Sequence, residues 1–281
     1  MIPSQFEYQR ATSVDDALAK LAASGNGKLL AGGHSLVPLM KLRLSEPAVL
    51  IDIAKIPGLA GIREDGGVIE IGAGTTHRDV AASQLVRERC PVVAETAAEI
   101  GDPQVRSRGT IGGSLAHADP AADYPATLLA LDADIVLRSA RGARTVKAGD
   151  FFKDVFTVDL APDELIVAMR VVPLRSAAYA KLHQRASHFA IVGVAAALEA
   201  RGGLIQSARV GLTGASTHAM RLDAVERALV GQPPTAATIA AAAAVATATN
   251  VNADIHASAD YRRAMIPVFA RRALEGALRR V

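Results

Sequence analysis

Residues 28–36, Lys28-Leu29-Leu30-Ala31-Gly32-Gly33-His34-Ser35-Leu36, decide how this chain is read. The first four residues read as a strand, which stops at two glycines followed by a hydrogen-bonding side chain and a hydroxyl. Adjacent glycines let the backbone turn sharply, so successive N–H groups can converge on one anion. Ser35 adds a hydroxyl donor. A pyrophosphate suits that donor set. The stretch is neither a Walker A loop, since it lacks Gly-Lys-Ser/Thr, nor a Rossmann Gly-x-Gly-x-x-Gly turn. Taken alone, it also reads as an ordinary strand-to-loop turn.

Outward from this stretch, the chain divides into three units. Residues 1–55 form a βαβ-type unit. A strand at 6–8 leads to a helix opened by a capping-box-like Ser13-Val14-Asp15-Asp16, with Ala17, Leu18, Leu21 and Ala22 on its apolar face. Asn26-Gly27 breaks that helix, and a strand at 48–53 follows Pro47. Residues 56–175 start with a hairpin around Gly66-Gly67. A strand through Val68, Ile69 and Ile71 then runs into Gly72-Ala73-Gly74-Thr75-Thr76-His77. Helices follow from His77 and over 91–100, and strands at 134–138 and 165–172. Between them, residues 101–125 hold four Gly and three Pro and read as a long irregular segment, of a length that is usually functional. Residues 176–281 read as strands at 179–182, 192–200 and 205–212, with a hairpin at Arg201-Gly202-Gly203, then helices at 222–229, 236–249 and 259–278. The fold class is α+β, and no repeat is evident.

Two more segments carry candidate chemistry. Thr110-Ile111-Gly112-Gly113-Ser114 repeats the diglycine with flanking hydroxyls, so two such loops could grip the two phosphates of one dinucleotide. The residues after it, His117, Asp119 and Asp123, read either as a solvated turn with a helix cap or as a metal site, which lacks a second histidine. Gly72-Ala73-Gly74-Thr75-Thr76-His77 reads either as a third wall of the pocket or as a helix start capped by Thr75 or Thr76. Nucleophilic catalysis has little support: Ser35 lacks a G-x-S-x-G elbow, and Cys90, before Pro91, reads as packing.

Composition narrows the function classes. Half of the 281 residues are hydrophobic and Trp is absent, so a large core must be built mostly from Ala, Val, Leu and Ile. The charge of +3 is mild and the basic residues are scattered, which gives no case for nucleic acid. A single cysteine excludes an intrachain disulfide and cannot by itself hold an iron–sulfur cluster or structural zinc. The start Met1-Ile2-Pro3-Ser4-Gln5-Phe6 does not read as a signal peptide, and no apolar run reaches the ~18 residues of a membrane span. The expectation is a soluble, cytoplasmic protein.

The three loops, in this order, resemble the medium, FAD-binding subunit of carbon monoxide dehydrogenase, in the xanthine dehydrogenase group of molybdenum hydroxylases. The first match is Ala31 to Leu36 with Pro38, Met40, Lys41, Leu42 and Arg43, then Leu50-Ile51-Asp52-Ile53. Arg108-Gly109-Thr110-Ile111-Gly112-Gly113-Ser114 followed by Ala118-Asp119-Pro120-Ala121-Ala122-Asp123 matches the second motif. Tyr261-Arg262-Arg263 with Ala273-Leu274 resembles the C-terminal helix. The likeness covers essentially the whole chain. It implies the two-subdomain FAD-binding fold of the vanillyl-alcohol-oxidase/PCMH type, plus a C-terminal α+β domain of antiparallel strands and helices. It implies that Gly32, Gly33, His34 and Ser35 bind the FAD pyrophosphate, with Ala31 and Leu36 lining it, and that Thr110, Gly112, Gly113 and Ser114 hold the other side. Thr75 would belong to the third wall. Asp123 would hydrogen-bond the cofactor and Ile166 would lie against one of its faces. Lys181 falls near a lysine that the family places by the flavin ring; the bare sequence equally allows a surface strand residue there. Two departures stand out: Ser114 replaces a common Asn, and Phe189 falls where some relatives have a Tyr shielding the flavin.

The implied role is electron transfer. FAD would be bound noncovalently, with molybdopterin and two [2Fe–2S] clusters on a large and a small partner subunit, in a dimer of heterotrimers. Electrons would reach the flavin from the clusters and leave to an external acceptor. A self-sufficient FAD-dependent reductase of the same fold and a flavin-free assembly subunit are the alternatives. The first would need a proton donor beside the flavin, and the sequence offers no clear one.

Overall fold

The computed structural model describes all 281 residues. Its first sheet comes from β1 (Glu7–Arg10), α1 (Val14–Ala23), β2 (Gly27–Leu30), α2 (Leu36–Lys41) and β3 (Val49–Asp52). Both β1 and β2 pair in parallel with β3. The central β3 carries buried Val49, Leu50 and Ile51, the continuous apolar run expected of a strand covered on both faces. Ser13 caps α1 by accepting from the Asp16 N–H.

The second sheet belongs to the next stretch. Its elements are β4 (Ile62–Asp65), β5 (Val68–Gly72), α3 (His77–Ala82), α4 (Gln84–Arg89), α5 (Pro91–Ala98), α6 (Pro103–Arg106), α7 (Ile111–His117) and α8 (Tyr124–Ala130). The chain then continues through β6 (Asp134–Ser139), β7 (Gly142–Lys147), α9 (Ala148–Phe151), β8 (Phe152–Asp154), β9 (Thr157–Val158) and β10 (Leu165–Val171). The strand order is β4-β5-β10-β6-β7, antiparallel throughout. The third sheet is the antiparallel β11 (Ala177–His183), β12 (Ala190–Arg201), β13 (Leu204–Thr213) and β14 (Met220–Arg221). It is covered by α10 (Asp223–Leu229), α11 (Ala236–Ala244) and α12 (Ala259–Leu278). One apolar core lies under the first two sheets and a second under the third.

Three differences from the sequence reading have physical causes. The segment 101–125 is not irregular: it holds α6, α7 and the start of α8. Two of its three prolines, Pro103 and Pro125, sit in first helical turns, where a missing N–H costs nothing, and Asp102 and Thr110 supply side-chain caps. The edge strand β7 was hidden because its residues are mostly exposed and show no apolar alternation. Helix α11 stops at Ala244, short of the expected 249. The weak helix formers Thr247, Thr249 and Asn250 follow, and Asn250 takes a left-handed φ of 54°.

Candidate functional site

The loop between β2 and α2 is the part of the site with the most unused hydrogen-bonding capacity. No main-chain N–H from residue 32 to residue 36 donates to another protein group. Ser35 is the N-cap of α2, yet its hydroxyl makes no cap bond. Gly33 holds φ +76°, the left-handed conformation that turns this run of donors to one side. His34 is exposed, with Nδ1 3.2 Å from the Gly32 carbonyl. Ala31, Ser35 and Leu36 are half-buried.

The second diglycine is built differently. It is not a turn: Gly112 and Gly113 lie in the first turn of α7. Their amides already have partners. Ile111 N–H donates to Thr75 O at 3.0 Å and Gly112 N–H to Ala73 O at 2.9 Å. Gly113 N–H donates to the capping Thr110 hydroxyl at 3.2 Å, and Ser114 N–H to Thr110 O at 3.0 Å. The two motifs therefore do not present equivalent sets of amides. What this one presents is close approach: Gly113 is exposed and has no side chain, and Ser114 beside it is half-buried. Gly112 is buried, and a Cβ there would meet the Ala73 Cβ at 2.5 Å, so only glycine fits.

The third loop is fastened to the second motif and to the residues just before it. His77 N–H donates to Gly109 O at 2.9 Å, and Thr76 and Thr110 form an antiparallel bridge. A Cβ at Gly32 would overlap the Arg108 carbonyl, so the first loop rests directly on the approach to the second. Thr76 is the cap, accepting from Asp79 N–H. The Thr75 hydroxyl is turned away from the loops: it donates to Gly61 O and accepts from Gly61 N–H, at 3.1 and 2.9 Å. Thr75 thus fastens the preceding segment and has no donor left to offer a ring.

Behind these loops is a set of buried polar groups, of which the sequence reading named Asp123, Lys181 and His77 but not Tyr124 or Tyr179. His77 is buried against Tyr124, with ring centroids 5.5 Å apart. Neither His77 Nδ1 nor the Tyr124 hydroxyl has a hydrogen-bond partner. Burial, with help from the neighbouring charges of His34 and Arg106, pushes the imidazole down to about 4, so it is neutral at pH 7. Asp123 comes next in sequence to Tyr124 and is buried. Tyr179 donates to its Oδ1 at 2.5 Å and Lys181 to its Oδ2 at 3.0 Å. Desolvation pushes the Asp123 carboxyl up to about 6, while Lys181 and Tyr179 pull it the other way. The Lys181 side chain is only 2% exposed, which removes the surface-strand reading. Tyr179 and Lys181 are alternate residues of one strand and so share a face, a signal the sequence does contain.

Other expectations resolve more simply. Ile166 lies in the core on β10 opposite Leu137, with Val167 O beside it accepting from Ala73 N–H of the third loop. His117 Nε2 is 3.9 Å from Asp119 and its ring packs on Phe156, whereas Asp123 faces Tyr179 and Lys181. No group of three or more His, Cys, Asp or Glu is arranged to hold a metal ion. Phe189 is half-exposed at the end of the β11–β12 hairpin loop.

The residues fit a dinucleotide: a crescent of free amides, a glycine face for close approach, and orphaned buried polar atoms alongside. The fold and this site define a flavin-type dinucleotide-binding module. Residues 4–174 match the FAD binding domain in molybdopterin dehydrogenase, and residues 177–277 match the CO dehydrogenase flavoprotein C-terminal domain. The chain is 42% identical to the carbon monoxide dehydrogenase medium chain of Hydrogenophaga pseudoflava, over 99% of this chain and 98% of that one. It is 39% identical to the 6-hydroxypseudooxynicotine dehydrogenase complex subunit alpha of Paenarthrobacter nicotinovorans, over 100% and 97%. The solved carbon monoxide dehydrogenase of H. pseudoflava superposes with a TM-score of 0.96 at 42% identity, covering 100% of this chain and 99% of that one. This chain belongs to the FAD-binding medium-subunit family of the molybdenum hydroxylases. It has the family's FAD-binding fold followed by the C-terminal α+β flavoprotein domain. No helix is long and apolar enough to cross a membrane.

Proposed function

We propose that this chain is the electron-transfer subunit of a molybdenum hydroxylase, binding one FAD across its three loops. FAD, when bound, supplies the two-electron/one-electron redox chemistry, while the protein supplies binding, orientation and electrostatics. The observation that supports the reading is the unpartnered run of amides at residues 32–36, whose Gly32 packs against Arg108 and Gly109 on the approach to α7. Those amides would hold the pyrophosphate, with the Ser35 hydroxyl as a further donor and the side-chain-free surface of Gly113 beside it. Ser114, Asp123, Lys181 and the orphaned His77 and Tyr124 would address the more distant parts of the cofactor. Ala31, Leu36 and Ile166 would give it apolar neighbours.

The partner chains are a large molybdopterin subunit and a small [2Fe–2S] subunit, in a dimer of heterotrimers. The medium-chain designation of the relatives supports this assembly. Within the chain, residues 1–55 and 56–175 are the two FAD subdomains and 176–281 the C-terminal flavoprotein domain, with the three-stranded, five-stranded and four-stranded sheets falling one to each and the small β8–β9 pair in the second. Native purification with flavin, metal and subunit analysis tests the assignment. The expected product is a yellow-brown complex of three different chains. A colourless chain without absorbance near 450 nm after FAD soaking would support a flavin-free assembly role instead. Stoichiometric reduction of the isolated chain by NADPH and a small substrate would support a self-sufficient reductase.

A further inference from the structure

Three of the four strands of the third sheet reach over to one short segment of the FAD-binding module. From β11, the Tyr179 hydroxyl donates to Asp123 Oδ1 at 2.5 Å, and Lys181 Nζ lies 2.8 Å from the same oxygen. Lys181 also donates to the Glu99 carbonyl at the end of α5, at 2.9 Å. At the start of β12, Ala190 N–H donates to Ala121 O at 3.1 Å. From β13, the Thr213 hydroxyl is shared between Ala122 O and Pro120 O, at 2.7 and 3.0 Å. Residues 120–123 are thus suspended from the C-terminal sheet.

Gly193 is what lets Tyr179 reach. It sits on β12 between Lys181 of β11 and Thr213 of β13. A Cβ at Gly193 would overlap the Tyr179 hydroxyl and come within 2.8 Å of Thr213 Cγ2. The absence of a side chain there is an opening through which the phenol passes to the carboxylate. As the N-cap of α8, Asp123 could have capped that helix. Its side chain makes no cap bond and is turned to Tyr179 and Lys181 instead.

We propose that Tyr179, admitted by Gly193, is a positioning residue that fixes the Asp123 carboxylate as an ionised acceptor at the cofactor site, so that the C-terminal sheet sets the charge of a site built by the other two. The link to the cofactor rests on the reading of Asp123 given above; the Tyr179–Gly193–Asp123 relay stands on its own geometry. The charged and titratable groups facing Asp123 are Lys181 and Tyr179 from β11, Glu99 from α5 and Tyr124 from α8. A hydroxyl donor stabilises the ionised acid more than the neutral one. Its removal must therefore cost most where Asp123 is ionised.

The test uses the full chain and four proteins: wild type, Tyr179→Phe, Gly193→Ala and the double variant. Thermal unfolding of the flavin-free chains is followed from pH 4 to pH 8. Tyr179→Phe is expected to lower Tm by roughly 2–4 °C more at pH 8 than at pH 4. Gly193→Ala should show the same pH-dependent gap, and the double variant should lose less than the two single losses added together. A gap that is flat with pH, or a double variant with fully additive losses, overturns the relay. FAD titration at pH 8 supplies the second arm: Tyr179→Phe should raise Kd roughly tenfold. An unchanged Kd in that variant overturns the connection to the cofactor. A wild-type chain that binds no FAD at all overturns the proposed function and leaves the relay to be judged by the unfolding data.

Discussion

Gly113→Ala separates the folding role of the second diglycine from its binding role. Gly113 is the third residue of α7 and is exposed. In a helix, Ala is favoured over Gly by up to about 1 kcal/mol. Against this, the new Cβ would stand 2.9 Å from the Thr110 hydroxyl that caps the helix. Displacing that cap would cost about 1 kcal/mol. The two effects nearly cancel, so urea unfolding of the flavin-free chain should move by less than about 1 kcal/mol in either direction. Binding has no such compensation. If the flat face of Gly113 is where the cofactor lies against α7, one methyl group holds it off by more than a van der Waals contact can tolerate. FAD titration, followed by quenching of flavin fluorescence, should show at least about a tenfold rise in Kd, about 1.4 kcal/mol. A variant that folds normally and binds FAD with wild-type affinity would refute the placement of the second motif at the site.

Three further outcomes follow from the same geometry. Gly33→Val should abolish stable FAD binding, because φ +76° is strained for a β-branched residue and Val37 and Leu30 already lie 3.2 and 3.3 Å from the new Cβ; flavin content of the purified variant checks it. His77 is depressed to about 4 from an ordinary 6.5, so the unfolded chain binds the extra proton between those values and this contribution to stability is lost as pH falls through the window. The stability difference between wild type and His77→Gln should therefore grow by up to about 3 kcal/mol from pH 4 to pH 6.5 in denaturant titrations of the flavin-free chain. Asp123 has the opposite sign: its carboxyl is raised from 3.8 to about 6, so its contribution fades as pH rises through that window, and comparison with His77→Gln at each pH cancels it. Arg262→Ala should destabilise the chain by about 3 kcal/mol, measured by urea unfolding, because the buried guanidinium satisfies the carbonyls of Ile191 and Gly214 and pairs with Asp254.

Part of the candidate site was legible in the sequence. A diglycine that ends a strand and carries a hydroxyl two residues on permits a sharp turn with clustered amides, because that follows from local backbone freedom. The boundaries of α12 and the hairpin at residues 201–203 were equally local, set by the Ser258 cap and by adjacent glycines with positive φ. The order of three glycine-rich loops pointed to one family, and the comparisons place the chain there.

What sequence could not decide was who bonds to whom. The motif at residues 110–114 looks like the one at 32–35, yet its amides are engaged by Ala73, Thr75 and Thr110, and only the folded chain brings the first two of those carbonyls to it. Thr75 looked like a pocket hydroxyl until Gly61 was placed against it. Lys181 looked equally like a surface residue and a site residue, and its burial depends on Asp123, 58 positions away. Local patterns determine where donors and acceptors exist along the chain. Which of them remain free is settled by partners distant in sequence, since a buried polar group takes whatever partner the tertiary fold delivers.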